Sequence, residues 1–240
     1  MSNISGLLLV GHGRMGRLVE AHCGEYGFRV AAILDRAAAD RAPGQRVHSW
    51  DGIDVAIDFS TPSALLTHLP LVCDAGVDLV IGTTGLDDDR AAIRERTERA
   101  GIGVVLAPNF SIGANVLEAL TAAAARLFRA QPTYGAWLHE MHHAAKRDAP
   151  SGTAKLLVRA MEDADYRSPV NVVATRAGSH PGWHTVGFDG PADAVTLSHA
   201  VRDRAVFARG ALEAARWVRG RRGWFTMRDV LGLPADPAGE

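Results

Sequence analysis

The 240-residue chain carries 26 Lys and Arg against 27 Asp and Glu, a formal charge of −1, and 47% of its residues are hydrophobic. That profile is the one of a globular protein able to bury a full core, and it lacks the basic excess of a nucleic-acid binder. Its two cysteines, Cys23 and Cys73, fall in separate predicted helices, which leaves no disulfide framework and no cysteine-ligated metal. No apolar run approaches the ~20 residues that span a bilayer and no apolar leader is visible, so the expectation is a cytoplasmic protein without membrane contact.

In chain order, Leu7–Val10 is an apolar run that stops at Gly11, as buried parallel strands do. Residues 14–23 follow with helical spacing, and 30–34 is a second strand that ends at Asp35. Val55–Ile57 leads into Asp58-Phe59-Ser60, after which Pro62 suits the first turn of a helix over 65–75. Val77–Ile81 ends in Gly82-Thr83-Thr84-Gly85, a charged helix covers 87–100, and Val104–Leu106 ends in Ala107-Pro108-Asn109. Strand and helix alternating over short connections predicts a parallel sheet covered on both faces, with Gly, Thr and Asn gathered at one strand edge, where such sheets bind ligands.

An alanine-rich helix is predicted over 113–129. Beyond Pro132 the character changes: 170–175, 184–188 and 194–199 alternate between turn residues and read as antiparallel strands, and 207–219 returns to helix. The expected architecture is α/β, a discontinuous parallel-sheet domain over 1–108 and 205–240, interrupted by a smaller α+β domain with a mostly antiparallel sheet over 109–204.

Gly11-His12-Gly13-Arg14-Met15-Gly16 fits G-x-G-x-x-G, and its setting supports the match: it leaves a strand, opens a helix, and is followed by Asp35 at the end of the next strand. Gly11 serves the tight turn, Gly13 lets backbone approach a pyrophosphate, and Gly16 lets helix and strand close up. The fold expected on this motif is Rossmann-type. Asp35 would accept from the ribose hydroxyls and Arg36 would hold a 2′-phosphate, so the expectation is use of both NADH and NADPH.

His139-Glu140-Met141-His142-His143 also matches H-E-x-x-H, which on a helix would bind zinc with Glu140 as base. Against a zinc hydrolase, 134–138 reads as a strand and Pro150 stands seven residues past His143, so no metal is expected. The larger segment, Glu140 to Ala154, offers adjacent histidines that can move protons near neutral pH. It also holds Lys146, one of only two lysines, and a helix start at Ser151-Gly152-Thr153 suited to an anion.

The chain resembles the dihydrodipicolinate reductase (4-hydroxy-tetrahydrodipicolinate reductase) family. The resemblance rests on Gly11–Gly16, Asp58-Phe59-Ser60, Gly82–Gly85, Ala107–Ser111 and the His-His-x-x-Lys-x-Asp-Ala-Pro-Ser-Gly-Thr segment from His142 to Thr153, together with Arg176-Ala177-Gly178, Gly182, His184, Arg204, Phe207 and Gly210. It implies NAD(P)H-dependent reduction of a small dicarboxylate cyclic imine in the diaminopimelate route to lysine, with hydride delivered to the unsaturated ring and a proton completing the step. It further implies His142 and Lys146 as proton donors, His143, Ser151, Gly152 and Thr153 at the substrate, and Gly82, Thr83, Thr84, Ala107, Pro108, Asn109 and Phe110 beside the nicotinamide. A role for Arg204 in orienting the substrate domain and a homotetramer are implied as well. Two departures are a glycine motif one residue shorter than the family's and a short stretch between Thr153 and Arg176.

Overall fold

A computed structural model describes residues 4–35 and 50–234. Arg36, read above as a 2′-phosphate partner, lies outside the described residues. The chain divides into two compact units, one running to Phe110 and resuming over Ala205–Gly232, the other spanning Ser111–Arg204.

The first unit is built on six parallel strands, β1 (Ser5–Val10), β2 (Phe28–Leu34), β3 (Val55–Asp58), β4 (Asp78–Ile81), β5 (Gly103–Leu106) and β10 (Gly223–Phe225), in the order β2-β1-β3-β4-β5-β10. Side chains alternate across the pleat, and both faces are covered. Leu7 and Leu9 enter a core with α1 (Arg14–His22) and α6 (Ala205–Val218), whereas Leu8 and Val10 enter a second core with α2 (Pro62–Asp74) and α3 (Arg90–Ala100). This is why β1 reads as unbroken hydrophobic sequence. Helix α2 starts as predicted: Thr61 caps it by accepting from the Ala64 N–H, and Pro62 occupies its first turn. Helix α6 packs closely through fully buried Ala208, Ala211, Ala214 and Ala215. At Gly210 any side chain would collide with the Phe110 carbonyl, 1.7 Å from the Cβ position.

After β2 the chain crosses to the other side of β1 to form β3, so β1 and β3 flank the point where the sheet changes direction of growth. Loops leaving these two strands diverge there and leave a crevice. Strand β10 and the short helix α7 (Met227–Val230) were not anticipated, because elements of three and four residues carry no readable period.

The second unit is a four-stranded sheet of β6 (Gly135–His142), β7 (Val170–Arg176), β8 (Trp183–Asp189) and β9 (Ala194–Ala200), in the order β7-β6-β8-β9. Helices α4 (Ile112–Phe128) and α5 (Gly152–Asp163) supply Leu117, Leu157 and Met161 to its core with Leu138, Val186 and Phe188. The β6–β8 and β8–β9 pairs are antiparallel as expected, but β7 runs parallel to β6. The reason is α5, which carries the chain back along the sheet and makes β6-α5-β7 a crossover unit.

Candidate active site

Within the first unit, the glycine motif sits at the switch point. Gly11 has φ +89°, and a Cβ there would lie 2.8 Å from the Phe59 carbonyl oxygen; one on Gly16 would lie 2.2 Å from the Gly11 carbonyl oxygen. Gly13 differs, since a Cβ there meets nothing within 4 Å. Two glycines therefore satisfy the fold, and the third leaves open ground in front of the α1 N-terminus, which no side chain caps. Free N–H groups and the positive end of the helix dipole face that ground. A cavity of ≈450 Å³ opens there, lined among others by Gly11, His12, Gly13, Asp35, Phe59 and Ser60. Its size and its acid at the end of β2 suit a dinucleotide, whose adenosine ribose would meet Asp35 and whose pyrophosphate would meet Gly13.

The other residues expected on this edge divide into two groups. Gly82, Thr83, Thr84, Ala107, Pro108 and Asn109 follow β4 and β5 on the same carboxyl edge, outside the cavity's lining. Phe110 is 2% exposed and packs edge-on to Phe59 at 5.8 Å, so its ring belongs to the core. Met15 also packs inward, while Arg14 is exposed and His12 lies 2.7 Å from Glu20 Oε2. The sequence marks Asp58 in a motif but gives it no role. Its Oδ1 accepts from the Ser60 N–H (2.9 Å), the Ser60 hydroxyl (2.7 Å) and the Thr83 hydroxyl (2.6 Å), joining the loops after β3 and β4. Burial pushes its carboxyl above the ordinary range, against the pull of those donors.

Within the second unit, β6 alternates so that Ala136, Leu138, Glu140 and His142 share the buried face. The face is apolar at the strand's start and ionisable at its end. Glu140, 0% exposed, accepts from the Arg176 guanidinium at 2.7 Å and from the Ser151 N–H at 2.9 Å. Its other oxygen lies 2.7 Å from His142 Nδ1, at ion-pair distance rather than in an aligned hydrogen bond, and 3.7 Å from His184 Nε2. Burial opposes ionisation of Glu140, but Arg176 and Ser151 together outweigh it and hold the carboxyl below its ordinary range. For His142, burial dominates and lowers the imidazole; Glu140 works against this, while Lys146 and Arg176 add to it.

His143 follows β6, donating its N–H to the His180 carbonyl and facing the Arg204 guanidinium at 3.2 Å. Lys146 pairs with Asp148 at 2.7 Å. Ser151 caps α5: its hydroxyl accepts from the Ala154 N–H and meets His184 Nε2 at 3.1 Å, so the side chain is committed inside the protein. The open part of this helix start is Gly152, which is exposed and has nothing within 4 Å of its Cβ position. His142, His143 and Lys146 lie within five residues of chain after a strand end, and the α5 N-terminus is tied to them through Glu140.

The zinc reading of His139 and His143 needs a helix. Both instead belong to β6 or its exit, and His139 Nε2 pairs with Thr175. Glu140, His142 and His184 do bring three possible ligand atoms within 4.8 Å of one another. The Arg176 guanidinium on Glu140 already neutralises that carboxylate and would repel a dication, so the donor set suits a proton better than a metal.

Residues 6–110 match the family model for the dihydrodipicolinate reductase N-terminus, and residues 113–231 that for its C-terminus. A 4-hydroxy-tetrahydrodipicolinate reductase from Chromobacterium violaceum is 38% identical over 95% of this chain and 98% of its own length. One from Acinetobacter baumannii is 36% identical over 95% and 96%. Among solved structures, a dipicolinate-bound dihydrodipicolinate reductase from Paenisporosarcina sp. TG-14 superimposes with a TM-score of 0.73 at 22% identity, over 93% of this chain and 97% of that one.

Proposed function

The chain belongs to the dihydrodipicolinate reductase family, and from that premise we propose that it reduces 4-hydroxy-tetrahydrodipicolinate to tetrahydrodipicolinate, with NADH or NADPH, on the diaminopimelate route to lysine. The observation that carries the reading is that one chain holds both an open glycine cradle, at the switch point of its first unit, and a buried Glu140–His142 pair, at a strand end of its second. When bound, the reduced nicotinamide supplies the hydride.

The protein's own residues supply everything else. In the unit over 1–108 and 205–240, Gly11, His12, Gly13, Arg14, Met15 and Gly16 form the pyrophosphate turn and Asp35 takes the ribose hydroxyls. Gly82, Thr83, Thr84, Ala107 and Pro108, with Asn109 and Phe110 directly after them in the chain, shape the nicotinamide end, mainly through backbone, since Ala107 and Phe110 are core side chains. In the unit over 109–204, the backbone of Gly152 and Thr153 takes a substrate carboxylate at the positive end of α5. His143, backed by Arg204, takes a second polar group. His142 gives up the proton that completes the reduction, and Lys146, once released from Asp148, is the second cation and donor at the ring. The substrate is small. Assembly as a homotetramer and residence in the cytoplasm belong to this proposal; among the described residues no helix is long and apolar enough to cross a membrane.

The test is oxidation of NADH and NADPH by the purified chain with substrate generated enzymatically in the cuvette. Cofactor consumption that depends on the substrate supports the reading. No consumption with either cofactor, at saturating levels of both, contradicts it.

A further inference from the structure

We propose that Glu140 is a positioning residue of this reaction: its buried carboxylate fixes the His142 imidazole with Nδ1 turned into the protein, so that Nε2 is the atom that bears the transferable proton. The inference rests on the reductase reading above and adds to it a residue that touches neither substrate nor cofactor.

Three features carry it. First, Glu140 stands fully buried on the core face of β6, two residues before His142, where the pleat places an apolar side chain by default. A carboxylate there is costly unless it has donors, and it has them from two other elements, Arg176 on β7 and the Ser151 N–H at the head of α5. Arg176 is itself anchored by donating to the carbonyls of Thr175 and Asp148. One carboxylate thus locks strand, neighbouring strand and helix start around a single imidazole. Second, Glu140 Oε2 approaches Nδ1 of that imidazole at 2.7 Å, which leaves Nε2 as the ring atom not engaged by the protein's acid. Third, room at Nε2 is kept by a glycine: a Cβ on Gly182 would stand 3.0 Å from it.

The charges facing His142 make the carboxylate's sign matter. Arg176 from β7 and Lys146 from the following loop are cations, and His184 from β8 stacks edge-on at 5.1 Å as a neutral ring. Glu140 is the anion that opposes them and favours the protonated imidazole. In the step itself, the Nε2–H bond of the imidazolium breaks as the proton joins the reduced ring of the substrate; the imidazole left behind keeps its Nδ1–H toward Glu140 and regains a proton from water. This is the orienting role that a buried acid plays behind a histidine in other proton-transfer sites.

The test compares the full-length wild type with Glu140→Gln, which keeps the side chain's size and an acceptor for Ser151 but removes the charge. Turnover should fall by about 100-fold, the lower end of what general acid–base catalysis supplies, with the substrate KM within about threefold. The descending alkaline limb of kcat/KM should move to lower pH, since loss of the anion lowers the imidazole further. A merely structural role would instead lower the melting temperature and raise KM while leaving that limb in place, and this outcome overturns the proposal. A turnover within about threefold of wild type also overturns it. Should Glu140→Gln fail to fold, the wild type decides alone: long-range 1H–15N spectra, with His142 assigned by its absence in His142→Gln, must show the neutral ring protonated at Nδ1, and protonation at Nε2 sinks the inference. A wild type without reductase activity contradicts the functional reading, while the tautomer still reports on Glu140.

Discussion

Thr83 donates its hydroxyl to Asp58 Oδ1 at 2.6 Å, across 25 residues of sequence, and so fastens the loop after β4 to the loop after β3. Both loops leave the carboxyl edge of the parallel sheet next to the glycine turn, and the second oxygen of Asp58 is buried without a partner. Thr83→Val should therefore cost about 1–3 kcal/mol in stability, as expected when a buried carboxylate loses a donor. Chemical denaturation measures the loss, and an accompanying rise in the cofactor KM would show that the Gly82–Thr84 loop has loosened. A variant as stable as wild type would mean that the bond does not hold the edge together.

Gly13 and Gly16 should respond oppositely to alanine. At Gly16 the new methyl would overlap the Gly11 carbonyl, so Gly16→Ala should destabilise by about 1–3 kcal/mol. At Gly13 it meets no protein atom, and stability should stay within about 0.5 kcal/mol. If the open ground at Gly13 takes a pyrophosphate, Gly13→Ala should nonetheless raise the cofactor KM by about tenfold, near 1.4 kcal/mol. Unchanged cofactor kinetics would remove Gly13 from the site.

His184 links the site to acid stability. Burial, aided by the nearby charge of His142, lowers its imidazole to about 4 from an ordinary 6.5. Between these values the unfolded chain binds a proton that the folded chain refuses, so stability falls as pH drops from about 6.5 to about 4 and is level from this source outside that window. The loss from this group is on the order of 3 kcal/mol. His184→Gln should flatten the slope in urea titrations over that range, and an unchanged slope would assign it to other groups.

Asp35 lines the cavity where a ribose would sit, and an acid there favours NADH, whereas an arginine, which is the next residue in the sequence (Arg36), favours a 2′-phosphate. Both cofactors should be used, with specificity constants within about 1,000-fold, roughly 4 kcal/mol. A wider gap in either direction would show that one of these two side chains plays no part.

Much of the first unit is legible in the sequence because its signals are local. Apolar runs stop at glycine, a proline opens α2, and the glycine fingerprint is contiguous. The parallel β6–β7 pairing was not legible, since alternation along a strand shows which face is buried but not which neighbour it pairs with or in which direction. In the second unit, the contiguous segment from His142 to Thr153 drew attention by composition and resemblance. The network behind it did not: Glu140 meets Arg176 from 36 residues away, and Ser151 meets His184 from 33. An acid amid the inward positions Ala136, Leu138 and His142 is the one signal in the sequence, and on its own it names neither Arg176 nor Ser151 as the partner.

The most direct measurement is steady-state kinetics of His142→Gln beside wild type, with Lys146→Ala as companion, on enzymatically generated substrate. If His142 supplies the proton, kcat should fall by about 100-fold or more with the cofactor KM unchanged, and Lys146→Ala should lose both turnover and substrate affinity. His142→Gln turning over within about threefold of wild type would contradict the assignment of the proton to His142, and with it the chemistry argued for this chain.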